Sequence, residues 1–253
     1  MSGSRGSGDG LPDVAVVVPV HDEAGNIAGL VDEIAAALKD RESFEAIFVN
    51  DGSSDDTEAT LLHLGASRPW LRQMKHAASC GQSAAIRTGV MSARAPIVVT
   101  LDGDGQNDPM FIPKLLDALL AAGPEVGLLQ GQRDRRKGGF KRFQSWIANT
   151  VRSSILRDGT RDTGCGLKAF RRDVFLKLPY FDALHRFTPA LIRREGLEIK
   201  YVDVVDRPRM HGRSHYGMWN RLWVGIVDLA GVFWLIRRRR RVPEVMEVRG
   251  DAG

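Results

Sequence analysis

Residues 98–109, VVTLDGDGQNDP, set a β-branched apolar run against three aspartates, Asp102, Asp104 and Asp108. Two carboxylates at i and i+2 beyond a strand end can converge on one hard divalent cation, which takes oxygen ligands and keeps positions open for phosphate oxygens. A turn that simply favours Asp and Gly explains a lone DGDG equally well. Spacing argues against two other chemistries. An EF-hand loop counted from Asp102 needs Gly at its sixth position and Glu at its twelfth, where this chain has Asn107 and Pro113. A phosphoaspartyl hydrolase wants its DxD pair beside the first strand, whereas this pair follows the fourth. Polar clusters also close two earlier apolar runs, PVHDE at 19–23 and NDGSSDD at 50–56.

Such clusters act together only if the elements before them end at one edge. VAVVVP at 14–19 is a short β-branched run, and the helical pattern that follows, from about Asn26 to Leu38, puts Ile27, Leu30, Val31, Ile34 and Leu38 on one face. The unit recurs as EAIFVN with 57–64, LRQMKH with 83–93 and PIVVTL with 111–121. Strands alternating with helices imply parallel pairing through right-handed crossovers, and ligands of such sheets gather at the carboxyl ends of the strands. From residue 125 the pattern changes. EVGLLQG reads as a strand, 143–156 as a helix, GLKAFRRDVF as a strand entering a helix, HRFTPALIRREG as another helix, and LEIKYVDVV alternates like a half-exposed strand. No linker divides the chain, and one mixed α/β domain is predicted.

A chain of 253 residues with 43% hydrophobic content can bury a full core. Residues 1–12, rich in Gly and Ser and without the apolar run of a secretory signal, read as a flexible leader. Two cysteines, Cys80 and Cys165, with no CxxC and no His at zinc spacing, argue against a disulfide framework or structural zinc, and for a reduced, cytosol-facing protein. The net charge of +5 is concentrated in RDRRKGGFKRF (133–143), RPRMHGR (207–213) and RRRRR (237–241), which points to an anionic partner or a solvated face. No helix-turn-helix, RRM-like or finger pattern accompanies these runs, so nucleic acid is set aside.

VVVPVHDEAGNI, IFVNDGSSDDT, CGQSAAIRTG and VVTLDGDGQNDP follow in the order and spacing of the family 2 inverting glycosyltransferases, and the chain resembles their polyprenyl-phosphate, dolichol-phosphate mannose synthase-like branch. The likeness covers roughly residues 14 to 217. GQRDRRKGGFKRFQS, RDTGCGLKAFRRDV and RPRMHGRSHYG resemble that branch's acceptor-side motifs. The resemblance implies a GT-A fold, Rossmann-like, with a mixed, mostly parallel sheet flanked by helices. It implies a nucleotide sugar bound by Pro19, Val20, Asp22, Glu23, Asp51, Gln82, Asp102 and Gly103, with Glu23 and Asp51 on base or ribose. Asp102, Asp104 and Gln106 would hold Mg2+ or Mn2+, which stabilises the departing diphosphate. Glu23 as an ordinary helix N-terminal acid and Asp51 as an Asx-turn are the plainer readings.

If the acceptor is a lipid monophosphate, its oxygen is already an anion and needs no general base; arginine forks orient it instead. By resemblance Arg133, Arg142 and Arg209 take that role, with Arg213 and Ser214 beside them, and Asp104, Arg133, Arg142 and Asp162 form the catalytic set. Asp162 as a loop acid paired with Arg161 or Arg171 is the alternative. After GRS the branch carries Lys, and this chain has His215.

LWVGIVDLAGVFWLI (222–236) contains three aromatics and one acid, with RRRRR directly after it. As a helix it would be about 22 Å long, short of the roughly 30 Å hydrocarbon core, and Asp228 at its centre opposes spanning. An amphipathic, interfacial or oligomer-packed helix fits, with the arginines on an anionic membrane surface; a helix packed on the domain competes. The chain thus divides into a leader (1–12), a transferase domain (13–217), a Trp-rich helix with its arginines (218–241) and a tail (242–253). The expected protein is a metal-dependent transferase on the cytoplasmic face of the membrane, peripheral, moving a sugar from a UDP- or GDP-linked donor to polyprenyl phosphate, with homo-oligomers left open. A family 2 enzyme with a saccharide or glycolipid acceptor is an alternative, although it would be expected to carry a QxxRW element that is absent here. A non-catalytic nucleotide-sugar or cation-binding protein is another.

Overall fold

The computed structural model describes residues 11–41, 43–133, 162–207 and 218–238, together with Arg152, Ile155, Leu156, Gly159 and Thr160. Seven strands form one sheet in the order β3-β2-β1-β4-β6-β5-β7. β1 (Val14–Val20) lies between β2 (Phe44–Asn50) and β4 (Ile97–Thr100) and is parallel to both, with β3 (Leu71–Lys75) outside β2. β6 (Lys168–Arg171) runs antiparallel to β4 and to β5 (Val126–Arg133), and β7 (Glu198–Val204) pairs parallel with β5. The sheet is therefore mixed and mostly parallel, as expected.

β1 is apolar along its length because both faces are covered, as a central parallel strand requires. Val14, Val16, Val18 and Val20 face one layer, packed by α1 (Ala24–Ala37), α2 (Thr57–Gly65) and α4 (Ile112–Ala121). Ala15 and Val17 face the other, packed by α3 (Gln82–Ser92), α5 (Arg172–Leu176), α6 (Leu184–Arg194) and α7 (Met218–Arg237). α1 begins at Ala24, two residues before the periodicity suggests, and presents Ile27, Leu30, Val31 and Ile34 to the core as expected. The predicted helix 143–156 lies largely outside the described residues; Arg152, Ile155 and Leu156 within it are helical.

The chain moves outward from β1 through β2 to β3, then returns to the other side of β1 as β4. That reversal opens a crevice beyond the carboxyl ends of β1 and β4, the usual ligand position in such sheets. Along β7 exposure alternates, as the sequence pattern implied.

α7 has two apolar sides. Val232 is 2% exposed, and Leu229, Phe233 and Ile236 pack with it against the α6 layer, where Arg194 Nε donates to the Leu235 carbonyl at 3.1 Å. Ile226, Val227 and Trp234 face outward. Among the described residues no helix is long and apolar enough to cross a membrane.

Candidate functional site

The loop after β1 turns at Asp22, whose φ of 54° is a left-handed conformation that Asp tolerates. Its carboxylate accepts from the Ser54 N–H at 2.7 Å and the Asp55 N–H at 3.3 Å, and its own N–H donates to Ser53 Oγ at 3.0 Å. The Ser54 N–H holds the carboxyl below its usual range. Asp22 thus latches the β1 loop to the β2 loop. The Glu23 N–H donates to Thr57 Oγ1, and its carboxylate accepts from Asn26 Nδ2 at 2.5 Å.

Asp51, 4% exposed at the end of β2, accepts four hydrogen bonds: His76 Nδ1 (2.6 Å) and the Cys80 N–H (2.9 Å) on one oxygen, Ser79 Oγ (2.9 Å) and the Gly81 N–H (2.8 Å) on the other. Burial alone would raise its carboxyl, but these donors outweigh burial and bring it below the usual range. Four bonds fill the lone pairs a carboxylate offers. The side chain expected on base or ribose is therefore engaged in fixing the 76–81 loop that walls the crevice. Asp51, His76 and Cys80 offer possible metal-ligand atoms within 4.8 Å of one another, yet His76 Nε2 is also bonded to Thr88 Oγ1 and the Cys80 thiol lies on the Ala78 carbonyl. The trio forms a hydrogen-bond hub.

Beyond β4 the aspartate loop is pressed into the crevice. A Cβ at Gly103 would overlap Val20 and the Pro19 carbonyl, and one at Gly166 would overlap the Asp102 carboxylate. Asp102 accepts from Gln82 Nε2 at 2.7 Å, and its N–H donates to Asn107 Oδ1. Asp104 accepts from the Gln106 N–H at 3.1 Å, an Asx-turn, while the Gln106 carbonyl accepts from the Arg207 N–H. Asp108 caps the short 3-10 turn that leads into α4 and pairs with Arg207 at 2.7 Å. Burial, opposed by Lys168 and reinforced by Asp104, pushes the Asp102 carboxyl up to about 6. Two hard oxygen donors on one tight loop, with charges that repel, are what a divalent cation relieves, so Asp102 and Asp104 fit such an ion.

Arg133, at the end of β5, grips Asp162 through Nε (2.5 Å) and Nη2 (2.8 Å) and Asp206 through Nη1 (2.8 Å). The Asp162 fork holds the guanidinium in its charged form. Asp162 therefore pairs with Arg133, where the sequence had offered Arg161 or Arg171. Lys168, 5% exposed on β6, donates to the Cys165 carbonyl at 2.5 Å. The structure brings Asp102, Asp104, Arg133 and Asp162 together, joined by two residues not foreseen, Lys168 and Asp206. Lys168 carried a signal, a lone charge in the apolar run GLKAF. Arg142, Arg209, Arg213, Ser214 and His215 lie outside the described residues.

The Glycosyl transferase family 2 profile matches residues 15–178. The chain is 33% identical over 245 residues to dodecaprenyl-phosphate galacturonate synthase of Rhizobium johnstonii, covering 94% of this chain and 72% of that protein. It is 31% identical over 208 residues to undecaprenyl-phosphate 4-deoxy-4-formamido-L-arabinose transferase of Edwardsiella ictaluri, covering 81% of this chain and 63% of that protein. This chain thus spans under two thirds of the arabinose transferase's length. Among solved structures, glucosyl-3-phosphoglycerate synthase of Mycobacterium tuberculosis in complex with Mn2+, UDP and glucosyl-3-phosphoglycerate superposes with a TM-score of 0.68 at 20% identity, over 89% of this chain and 80% of that one. At that identity the likeness is one of fold.

Proposed function

The chain belongs to glycosyl transferase family 2, and from that premise we propose that it moves a sugar from a nucleoside diphosphate donor to a polyprenyl phosphate, with inversion at the anomeric carbon. The observation that carries this reading is the meeting, at one sheet edge, of the Asp102–Asp104 loop with the Arg133–Asp162–Asp206 cluster. The two relatives, both named for polyprenyl-phosphate acceptors, support it.

In this reading the acceptor's phosphate oxygen forms the new bond to the anomeric carbon as the bond to the donor diphosphate breaks, and the nucleoside diphosphate departs. The attacking oxygen is already an anion, so no side chain has to remove a proton. Asp102 and Asp104 would hold Mg2+ or Mn2+, which when bound offsets the charge of the departing diphosphate. Gln82 orients Asp102 through its 2.7 Å bond. Pro19, Val20, Asp22, Glu23 and Gly103 line the nucleoside side, with Asp51 shaping the wall. Arg133, positioned by two carboxylates, retains N–H groups for the acceptor phosphate, and Arg142, Arg209, Arg213 and Ser214 are proposed to complete that grip. The outward apolar side of α7, continued by Arg237 and Arg238, would rest on an anionic membrane surface at its cytoplasmic face.

The test is turnover of UDP- and GDP-sugars with a short polyprenyl phosphate in Mn2+, with and without EDTA. Formation of an EDTA-sensitive, lipid-linked sugar is expected. Transfer to a saccharide or to a small soluble phosphate in preference to the lipid would overturn the acceptor assignment, and full activity in EDTA would remove the cation.

A further inference from the structure

A cavity of about 140 Å³ opens inward from Asp102 beneath the ends of β4 and β6. Lys168, His185 and Arg186 line it with Gln82, over a floor that includes Phe170 and Phe175. That is room for one arm of a sugar ring. The sugar is the part of the donor bonded to the diphosphate, which the Asp102–Asp104 loop would face.

Lys168 has an ammonium with three N–H donors, and among the described residues one hydrogen bond is made, to the Cys165 carbonyl at 2.5 Å. No described carboxylate lies within 4.0 Å of it. Asp162 is spent on Arg133, and Asp102 is bonded to Gln82 and assigned to the cation. Arg186, exposed at the mouth, shares charge with Asp228 on α7. His185, its Nδ1 2.8 Å from Ser83 Oγ, is held neutral, its pKa pushed down to about 3 by burial and by the two cations. What remains, among the described residues, is a buried ammonium that feels Asp102 and Asp162 only at longer range and has no carboxylate in ion-pair contact, a costly state unless a partner arrives with the ligand.

We propose that the donor sugar is a hexuronic acid whose carboxylate enters this cavity and pairs with Lys168. The proposal rests on the donor-binding reading above and adds the class of sugar. A neutral hydroxymethyl in the same place would leave the ammonium unpaired, and the discrimination follows from that difference.

Calorimetry in Mn2+ tests it with UDP, UDP-glucose, UDP-galactose and the two corresponding UDP-uronates, and with GDP counterparts if UDP does not bind. The wild-type chain should bind the uronate about ten- to hundredfold tighter than the matching hexose. Lys168→Gln should abolish that ratio and leave affinity for the free nucleoside diphosphate within about twofold, while Lys168→Arg should keep part of the preference. Diphosphate binding without any uronate preference overturns the proposal and spares the function above. An equal loss for the free diphosphate in Lys168→Gln overturns it too, since Lys168 would then hold phosphate. A wild-type chain that binds no nucleotide overturns both. If Lys168→Gln does not fold, the wild-type ratio alone decides.

Discussion

Asp102 leans on Gly166, and a side chain at 166 would take the carboxylate's place. Gly166→Ala is expected to displace Asp102 and to lower kcat/KM by about a hundredfold, the scale of an ångström-level misplacement at a reacting centre; steady-state kinetics beside a thermal melt would show the loss without unfolding. Asp104→Asn removes a charge proposed to hold the cation from a partly exposed loop, so turnover should fall by roughly several orders of magnitude with the fold retained, as circular dichroism would report. Asp102 also sets a pH limit. Its carboxyl titrates near about 6 instead of 3.8, so protons compete with the cation well above the ordinary carboxylate range. Calorimetric Mn2+ affinity should be level above pH 7 and drop by about tenfold per pH unit below 6. The same raised value makes the charged form a burden on the metal-free fold, so this group adds stability as pH falls through 6 towards 3.8. These carboxylates were legible because a DGDG after an apolar run stands out in one short stretch. Lys168 on β6 and Asp206 just beyond β7 reach the same site from far along the chain, and local spacing carries no record of such meetings.

α7 shows what periodicity reports about an element and what it leaves out. The run 222–236 announced a helix, to be laid on a membrane surface or packed on the domain, but not which side would find a partner. The folded chain buries Val232 and leaves Trp234 59% exposed, two residues on. Val232→Ala removes two methyl groups from a packed interface and should cost about 2 kcal/mol, lowering Tm by about 4–8 °C in a chain of this size. Trp234→Ala should change stability by no more than about 0.5 kcal/mol yet weaken flotation with vesicles of anionic lipid. If Trp234→Ala melted as low as Val232→Ala, the outward side would be a second packing face. The docked side also bears on the division of the chain at residue 217, because a domain cut there would expose the α6 layer around Val232.

Taken whole, the molecule is basic through a few segments only, and the largest outside the site begins at Arg237, where the guanidinium sits 3.8 Å from the Phe233 ring. Replacing Arg237 to Arg241 by Gln should remove most of the salt dependence of vesicle binding, since each basic residue near an anionic surface contributes about 1 kcal/mol; vesicle sedimentation at rising salt measures it. The four strand-helix units at the start were readable from their repeat, and with them the edge where the loops meet. The insertion of β6 between β4 and β5, against their direction, was not, because a four-residue strand has too little pattern to name its neighbours. That insertion orders events during synthesis. A nascent chain emerged as far as α4 already holds both aspartates of the loop, but Thr100 Oγ1 has no Gly166 carbonyl to bond and Asp102 has no wall behind it. Non-local pairing of this kind closes late, so the ribosome must deliver β6 before the protein can begin to handle its donor.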